Sequence, residues 1–416
     1  MKGRWDYVPL KRVITAMTRG TAPNYVDDGP VRVIGQAANQ TSGVNWTRTR
    51  FHASDVGVSR LKGLLIPGDI LVNSTGTGTL GRVGQYVGGP DGRPCIADGH
   101  ITVVRANTEF AHPRFLYYTL SSQPFYDRIY AEMVVGATNQ IELSTEKLSR
   151  APIPLPPLEE QRRIADFLDA EVTRLDTLAQ FRLRQESLLT ERLFARAAIL
   201  TRRSDAVRQG AAYRGVPLRR ALISIRTGLT PTTLRDKSQS TDSDIPWYTP
   251  AAVDDLMSIG DADKVVDQGS RGVPTFPKDS ILVVGIGESL GKVGYLDHAA
   301  TGNQQLTALH TVPEVDSRFL AWQLWAVRDE LRSWSQYSRV RIINNGSLSS
   351  FPIHLPPKSR QITIRIELDN EREHVLAFRQ VAAAFAQRLV ERKQALITAA
   401  VTGQFDVTTA RGVDVS

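Results

Sequence analysis

One cysteine, Cys95, stands in 416 residues. It rules out an internal disulfide and any cysteine-based zinc site. A lone thiol fits a reducing compartment and reads as a small buried hydrophobe. No run approaches the roughly 18 apolar residues of a membrane span. The opening MKGRWDYVPLKRV lacks an apolar signal core, so the expectation is a cytoplasmic protein without a membrane partner. Seven histidines, at 52, 100, 112, 298, 310, 354 and 374, are scattered and form no H-E-x-x-H pattern. No metal site is expected in this chain. Two stretches, 158–200 and 358–402, contain no glycine or proline, which excludes turns there and favours long helices.

What is present is a modest positive charge, +8 from 51 basic and 43 acidic residues. It permits nucleic-acid binding without requiring it. The length allows two or three domains.

Residues 76–84, GTGTLGRVG, contain the dinucleotide-binding pattern G-x-G-x-x-G. A nucleotide cradle of that kind needs a strand before the loop and a helix after it. The strand is there, Asp69-Ile-Leu-Val-Asn73. The residues from Arg82 to Pro90 follow it with glycines and β-branched side chains, which make a second strand. The pattern therefore reads as a hairpin turn in which glycine supplies left-handed backbone. Residues 277–294, PKDSILVVGIGESLGKVG, repeat residues 67–84, PGDILVNSTGTGTLGRVG, with altered glycine spacing. Glu288 and Ser289 separate Gly287 from Leu290, where the earlier copy has only Thr79. A P-loop near Gly291-Lys292 also fails, since five residues lie between Gly285 and Gly291 and Val293 follows the lysine.

The duplication runs through the chain. Val8-Pro-Leu-Lys-Arg12 returns as Val216-Pro-Leu-Arg-Arg220, and Arg114-Phe-Leu116 returns as Arg318-Phe-Leu320. PIPLPPLEEQRRIADFLDAE from Pro152 returns as PIHLPPKSRQITIRIELDNE from Pro352. The offset of 200 holds without a gap through Gln161, Ile164, Leu168, Asp169 and Leu189. A single inserted residue would rotate a helix downstream of it, so the gap-free match implies a rigid element.

Each half divides into a strand-rich part and a long helix, giving an α+β chain. The expected segments are 1–151, a helix over 152–200, a linker over 201–215, a second strand-rich domain over 216–351, a helix over 352–405 and a tail over 406–416. The helices carry narrow apolar stripes, such as Ile164, Leu168, Leu175, Leu178, Leu189 and Leu193 in the first. Stripes of that width suit a helix–helix seam, and the expectation is an antiparallel coiled coil. The alternative is two separate helices, each lying on its own domain.

A strand-rich domain ending in Ala151-Pro-Ile-Pro-Leu-Pro-Pro-Leu-Glu-Glu-Gln161, a long helix, and then the same pair again resembles the DNA-specificity subunit of type I restriction–modification systems. Phe351-Pro-Ile-His-Leu-Pro-Pro357 with Gln361, and the closing Leu396-Ile-Thr-Ala-Ala-Val-Thr-Gly403, extend the likeness; Lys358-Ser-Arg360 departs from it. The resemblance implies two target-recognition domains, each reading one half of a split double-stranded DNA target, and two helices acting as a ruler for the spacer. It implies two adenine-N6 DNA methyltransferase subunits docked on the helices and a motor-nuclease restriction subunit. S-adenosylmethionine, ATP and magnesium would serve those partners, with no cofactor and no catalytic role in this chain. The Pro-Pro pairs occur only in Leu-Pro-Pro, so the Asn/Asp-Pro-Pro-Tyr/Phe motif of such methyltransferases is absent.

Base reading needs forked hydrogen-bonding side chains at groove edges. The candidates in the first domain are Gln36, Asn39, Gln40, Asn45, Arg48, Arg50, Thr77 and Arg82. In the second they are Arg226, Arg235, Trp247, Tyr248, Arg271, Lys292, Gln304, Arg339 and Arg341. The competing readings are a two-fold protein-binding adapter that never contacts DNA and an enzyme using Gly76–Gly81 for a nucleotide. The target sequence, the spacer length and whether cleavage accompanies methylation are not written in the sequence.

Overall fold

The computed structural model describes residues 5–53, 57, 60–61, 63–76, 78–136, 141–202, 215–241, 243–267, 272–337 and 341–407. Thr77, Arg271 and Arg339, most of the expected linker and the tail beyond 407 lie outside the described residues. The chain forms two units: residues 1–181 with 384–416, and residues 182–383.

In the first unit the strand Ile70–Asn73 pairs antiparallel with Val83–Gln85. Gly76, Gly78 and Gly81 between them all take positive φ, so the turn needs residues without a Cβ penalty. This hairpin belongs to a four-stranded sheet in the order Ile14–Arg19, Ile101–Ala106, Ile70–Asn73, Val83–Gln85. A second sheet runs Cys95–Ala97, Val31–Ile34, Arg50–His52, Tyr25–Val26, its first pair parallel and the others antiparallel. Ile34, Leu71, Cys95, Ala97 and Val103 share a core. The helix Pro113–Ser121 covers the other side, where Phe115 and Leu116 pack with Ile70, Val72 and Val104.

The second unit repeats this plan strand for strand. Its first sheet runs Leu222–Thr227, Leu306–Thr311, Ile281–Val284, Val293–Tyr295. Its second runs Thr301–Gly302, Asp244–Tyr248, Lys264–Asp267, Arg235–Asp236, again with only the first pair parallel. The helix Ser317–Ala326 buries Phe319, Leu320, Trp322 and Trp325 against Ile281 and Val283. Close approaches repeat as well. A Cβ on Gly20 would lie 2.0 Å from Asp98 O, and one on Gly228 would lie 2.1 Å from Gly302 O. Both α+β heads thus share one topology.

The long helices span Leu158–Arg202 and Lys358–Val401. Inside the first unit they run antiparallel: Phe167 stacks near Phe405, and Lys393 pairs with Asp176 at 2.8 Å. Ile164, Ala165 and Leu168 share one core with Ile397, Ala400, Val401 and the head's Phe115. Inside the second unit Glu186 pairs with Arg379 at 2.7 Å and Glu371 with Arg196, also 2.7 Å. Leu193, Ala197, Ile364 and Leu368 pack together with Phe319 and Trp322. The helices thus pair with each other, as expected, and are not two separate helices; each also packs against a head.

The repeated polar residues fasten head to helix. Gln161, fully buried, accepts from His112 N (2.8 Å) and donates to Phe110 O and Pro156 O (both 2.9 Å). Gln361 accepts from Asp316 N (2.9 Å) and donates to Pro356 O (2.8 Å). Buried amides are retained when every polar atom has a partner. No helix among the described residues is long and apolar enough to cross a membrane.

Candidate nucleic-acid interface

The glycine turn of the first head is tied to the segment that follows Ile34. Asn39 donates from its amide to Leu71 O (3.0 Å) and Asn73 Oδ1 (2.9 Å), and Asn73 donates to Gln36 O (3.1 Å). Thr79 Oγ1 donates to Gln36 Oε1 at 3.3 Å. Arg82 reaches Asn39 O at 3.4 Å and Gln40 Oε1 at 3.3 Å. Gln36, Gln40 and Arg82 therefore form one connected, half-buried group. Asn45 joins it through its backbone bond to Ala38 O (2.8 Å), while its side chain caps the turn Trp46–Arg48. Arg48 and Arg50 are exposed, Arg50 stacking 3.8 Å over the Tyr25 ring. Burial, then the neighbouring Asp98, pushes the Tyr25 phenol up. Burial likewise raises the Cys95 thiol, which leaves it unreactive in the core.

In the second head Trp247 donates from Nε1 to Leu229 O (3.0 Å), and Thr230 donates to Gln304 Oε1 (2.8 Å). Those contacts gather Trp247 and Gln304 at one loop. Arg226 is exposed and reaches Thr275 O at 3.2 Å. Arg235 pairs with Asp244. Lys292 donates to Val253 O at 3.3 Å, much as Arg82 reaches Asn39 O. Arg341 lies beside the glycine turn, its carbonyl accepting from Gly287 N at 3.2 Å.

Of the candidate residues, Asn39 and Tyr248 are buried. Asn39 is fully buried, and both its amide bonds go to the hairpin it supports. Tyr248 is 5% exposed, with its hydroxyl against His298 Nε2 at 3.1 Å. The adjacent candidates Gln40 and Trp247 are only half-buried, and nothing local separates the two classes.

A family model described as the type I restriction modification DNA specificity domain matches residues 3–186 and 222–370. The chain belongs to that family. It is a DNA-specificity subunit of a type I restriction–modification system. Among solved structures, a chain from work on complex assembly and conformational transition of the type I R-M system superposes with a TM-score of 0.72. It is 21% identical and covers 97% of this chain and 99% of its own. The HsdS subunit from Thermoanaerobacter tengcongensis gives 0.50 at 20% identity over 96% of this chain and 97% of its own. At these identities both show a shared fold.

For this specificity subunit the sequence reading missed several participants. Thr79 and Asn73 complete the turn network, and their polar side chains beside the glycines were the available signal. A short strand pair closes over each turn: Leu143 N bonds Ser74 O, and Ile343 N bonds Gly285 O, both at 2.8 Å. Part of the basic charge is already neutralised. Arg93 pairs with Asp28 and Arg32 with Asp91, and both guanidinium groups lie over Phe51 at 4.9 and 4.7 Å. Among the described residues no group of three or more His, Cys, Asp or Glu could hold a metal ion.

Proposed function

We propose that the two heads each read one half of a split duplex target inside the cell, and that the long helices set the spacer and carry two adenine-N6 methyltransferase subunits. The observation behind this reading is one topology carrying different side chains at matching places. The first turn presents Gln36, Gln40, Thr79 and Arg82; the second presents Lys292, Arg341 and, nearby, Trp247 and Gln304. Identical frames with unlike tips suit two unlike half-sites. Lys and Arg contacts to phosphate would position each head while a few base contacts specify. Methyl transfer and cleavage would belong to partner subunits with S-adenosylmethionine, ATP and magnesium.

Mapping methylated adenines in DNA from cells carrying this chain and its methyltransferase partner tests the reading. A two-part motif with a fixed gap is the expected result. Methylation without such a motif, or no binding of duplex DNA by the assembled subunits at low salt, would favour a protein adapter instead.

A further inference from the structure

In each head one arginine lies between the long helix and the glycine-turn hairpin. Arg114 donates from Nε to Asp169 Oδ1 at 2.6 Å and from Nη1 to Gln85 Oε1 at 2.9 Å. The Tyr118 hydroxyl donates to the same Asp169 oxygen at 2.6 Å. The guanidinium lies over the rings of Tyr117 and Tyr118 at 4.7 and 4.9 Å. Gln85 ends the strand that leaves the turn, and its Nε2 reaches Gly68 O at 3.3 Å, where the hairpin begins. One planar cation therefore grips the helix on one edge and the root of the hairpin on the other.

The second head repeats the bracket with different chemistry. Arg318 donates from Nε to Asp369 Oδ1 at 2.8 Å, and Trp322 Nε1 donates to the same oxygen at 2.9 Å. Tyr295 holds the register position of Gln85, since the two pair with Ile281 and Ile70. Its ring lies 5.4 Å from the Arg318 guanidinium. Its hydroxyl donates to Asp279 Oδ1 at 3.1 Å. Asp279 occupies the place of Gly68, and both take positive φ.

We propose that Arg114 and Arg318 are positioning residues for DNA recognition, fixing the angle at which each hairpin leaves its helix and so the half-site spacing the chain accepts. The proposal rests on the half-site reading above. An arginine fork holds two acceptors in fixed geometry, whereas a lysine ammonium is a point charge on a flexible stem. Arg114→Lys must therefore release Asp169 or Gln85. Arg318→Lys can keep Asp369 while its charge stays over Tyr295, because attraction to a ring face is less directional. The two conservative replacements separate a positioning role from general packing.

The test uses the full chain assembled with its methyltransferase partner and duplexes carrying the mapped target with its own spacer, or one base pair shorter or longer. Competition binding is read beside thermal melting. Arg114→Lys should lower the preference for the native spacer about tenfold, the effect of one lost charge-assisted hydrogen bond, with the preferred bases unchanged. Arg318→Lys should change it less than about twofold. Asp169→Asn, a neutral isostere that disturbs folding least, should loosen spacing in the same direction as Arg114→Lys. Undiminished spacer preference in Arg114→Lys and Asp169→Asn, or altered base preference with unchanged spacing, overturns the proposal. Equal effects of the two lysine variants do so too. A wild-type complex that does not distinguish its target from random duplex overturns the half-site reading itself.

Discussion

Arg82 follows the glycine turn, and among the described residues its guanidinium is held by contacts of 3.4 Å to Asn39 O and 3.3 Å to Gln40 Oε1. Those lengths lie beyond the usual range for such bonds, so the guanidinium can swing to a phosphate at small cost. Arg82→Gln removes the charge and keeps an amide able to donate to Asn39 O. Each neutralised phosphate adds about 0.9 to the slope of log affinity against log salt. Losing one flattens the slope by about 0.9, so over a roughly fourfold rise in salt the variant loses about 3.5-fold less affinity than the parent. Lys292, whose ammonium reaches Val253 O at 3.3 Å, should behave alike, and the double variant should flatten the slope by about 1.8. Fluorescence anisotropy with a labelled duplex at several salt concentrations measures this on the assembled complex. Base preference should persist, because phosphate contacts position more than they specify. A folded Arg82→Gln variant with the parent slope refutes the phosphate assignment.

Gln161→Ala strips hydrogen bonds from His112 N, Phe110 O and Pro156 O, the last of them fully buried. It should cost about 3 kcal/mol and lower Tm by roughly 6–12 °C in a melting scan; a shift under about 2 °C would contradict the clamp. Burial pushes the imidazoles of His112 and His354 below their ordinary value. The unfolded chain then takes up protons first, so stability is full at neutral pH and declines as pH falls below about 6.5. Urea midpoints at neutral and acidic pH should diverge in the parent and less so in a His112→Gln, His354→Gln double variant. Matched insertions of about four residues into both long helices add about 6 Å. They should lengthen the accepted spacer and leave the half-sites unchanged in the methylation map.

The fold class was legible because its signals are local or repeated. Glycine turns flanked by Ile-Leu-Val runs, helices without glycine or proline, and a gap-free offset of 200 residues all survive in one sequence. The second sheet of each head was not legible. Its parallel pair joins Val31–Ile34 to Cys95–Ala97 across some sixty residues, and such a pairing leaves no local turn to read. The candidate interface was legible only as a pool of polar loop residues. Asn39 and Gln40 are neighbours of similar chemistry, yet one faces the core and the other Arg82. Only distant partners, Leu71 and Asn73, decide between them. Gln161, Asp169 and Arg114 were visible as repeated letters. Their shared work became apparent once the helix lay against the head.

One unit is interrupted in sequence: residues 1–181 are completed by 384–416, while 182–383 are continuous. Synthesis at roughly 5–20 residues per second places about ten to forty seconds between the emergence of Phe181 and that of Ala384. Until then Ile164, Ala165 and Leu168 lack Ile397, Ala400 and Val401. The head born first is thus finished last. Its apolar stripe should stay incompletely covered through that interval, and destabilising changes near residues 397–401 should lower the yield of newly made protein.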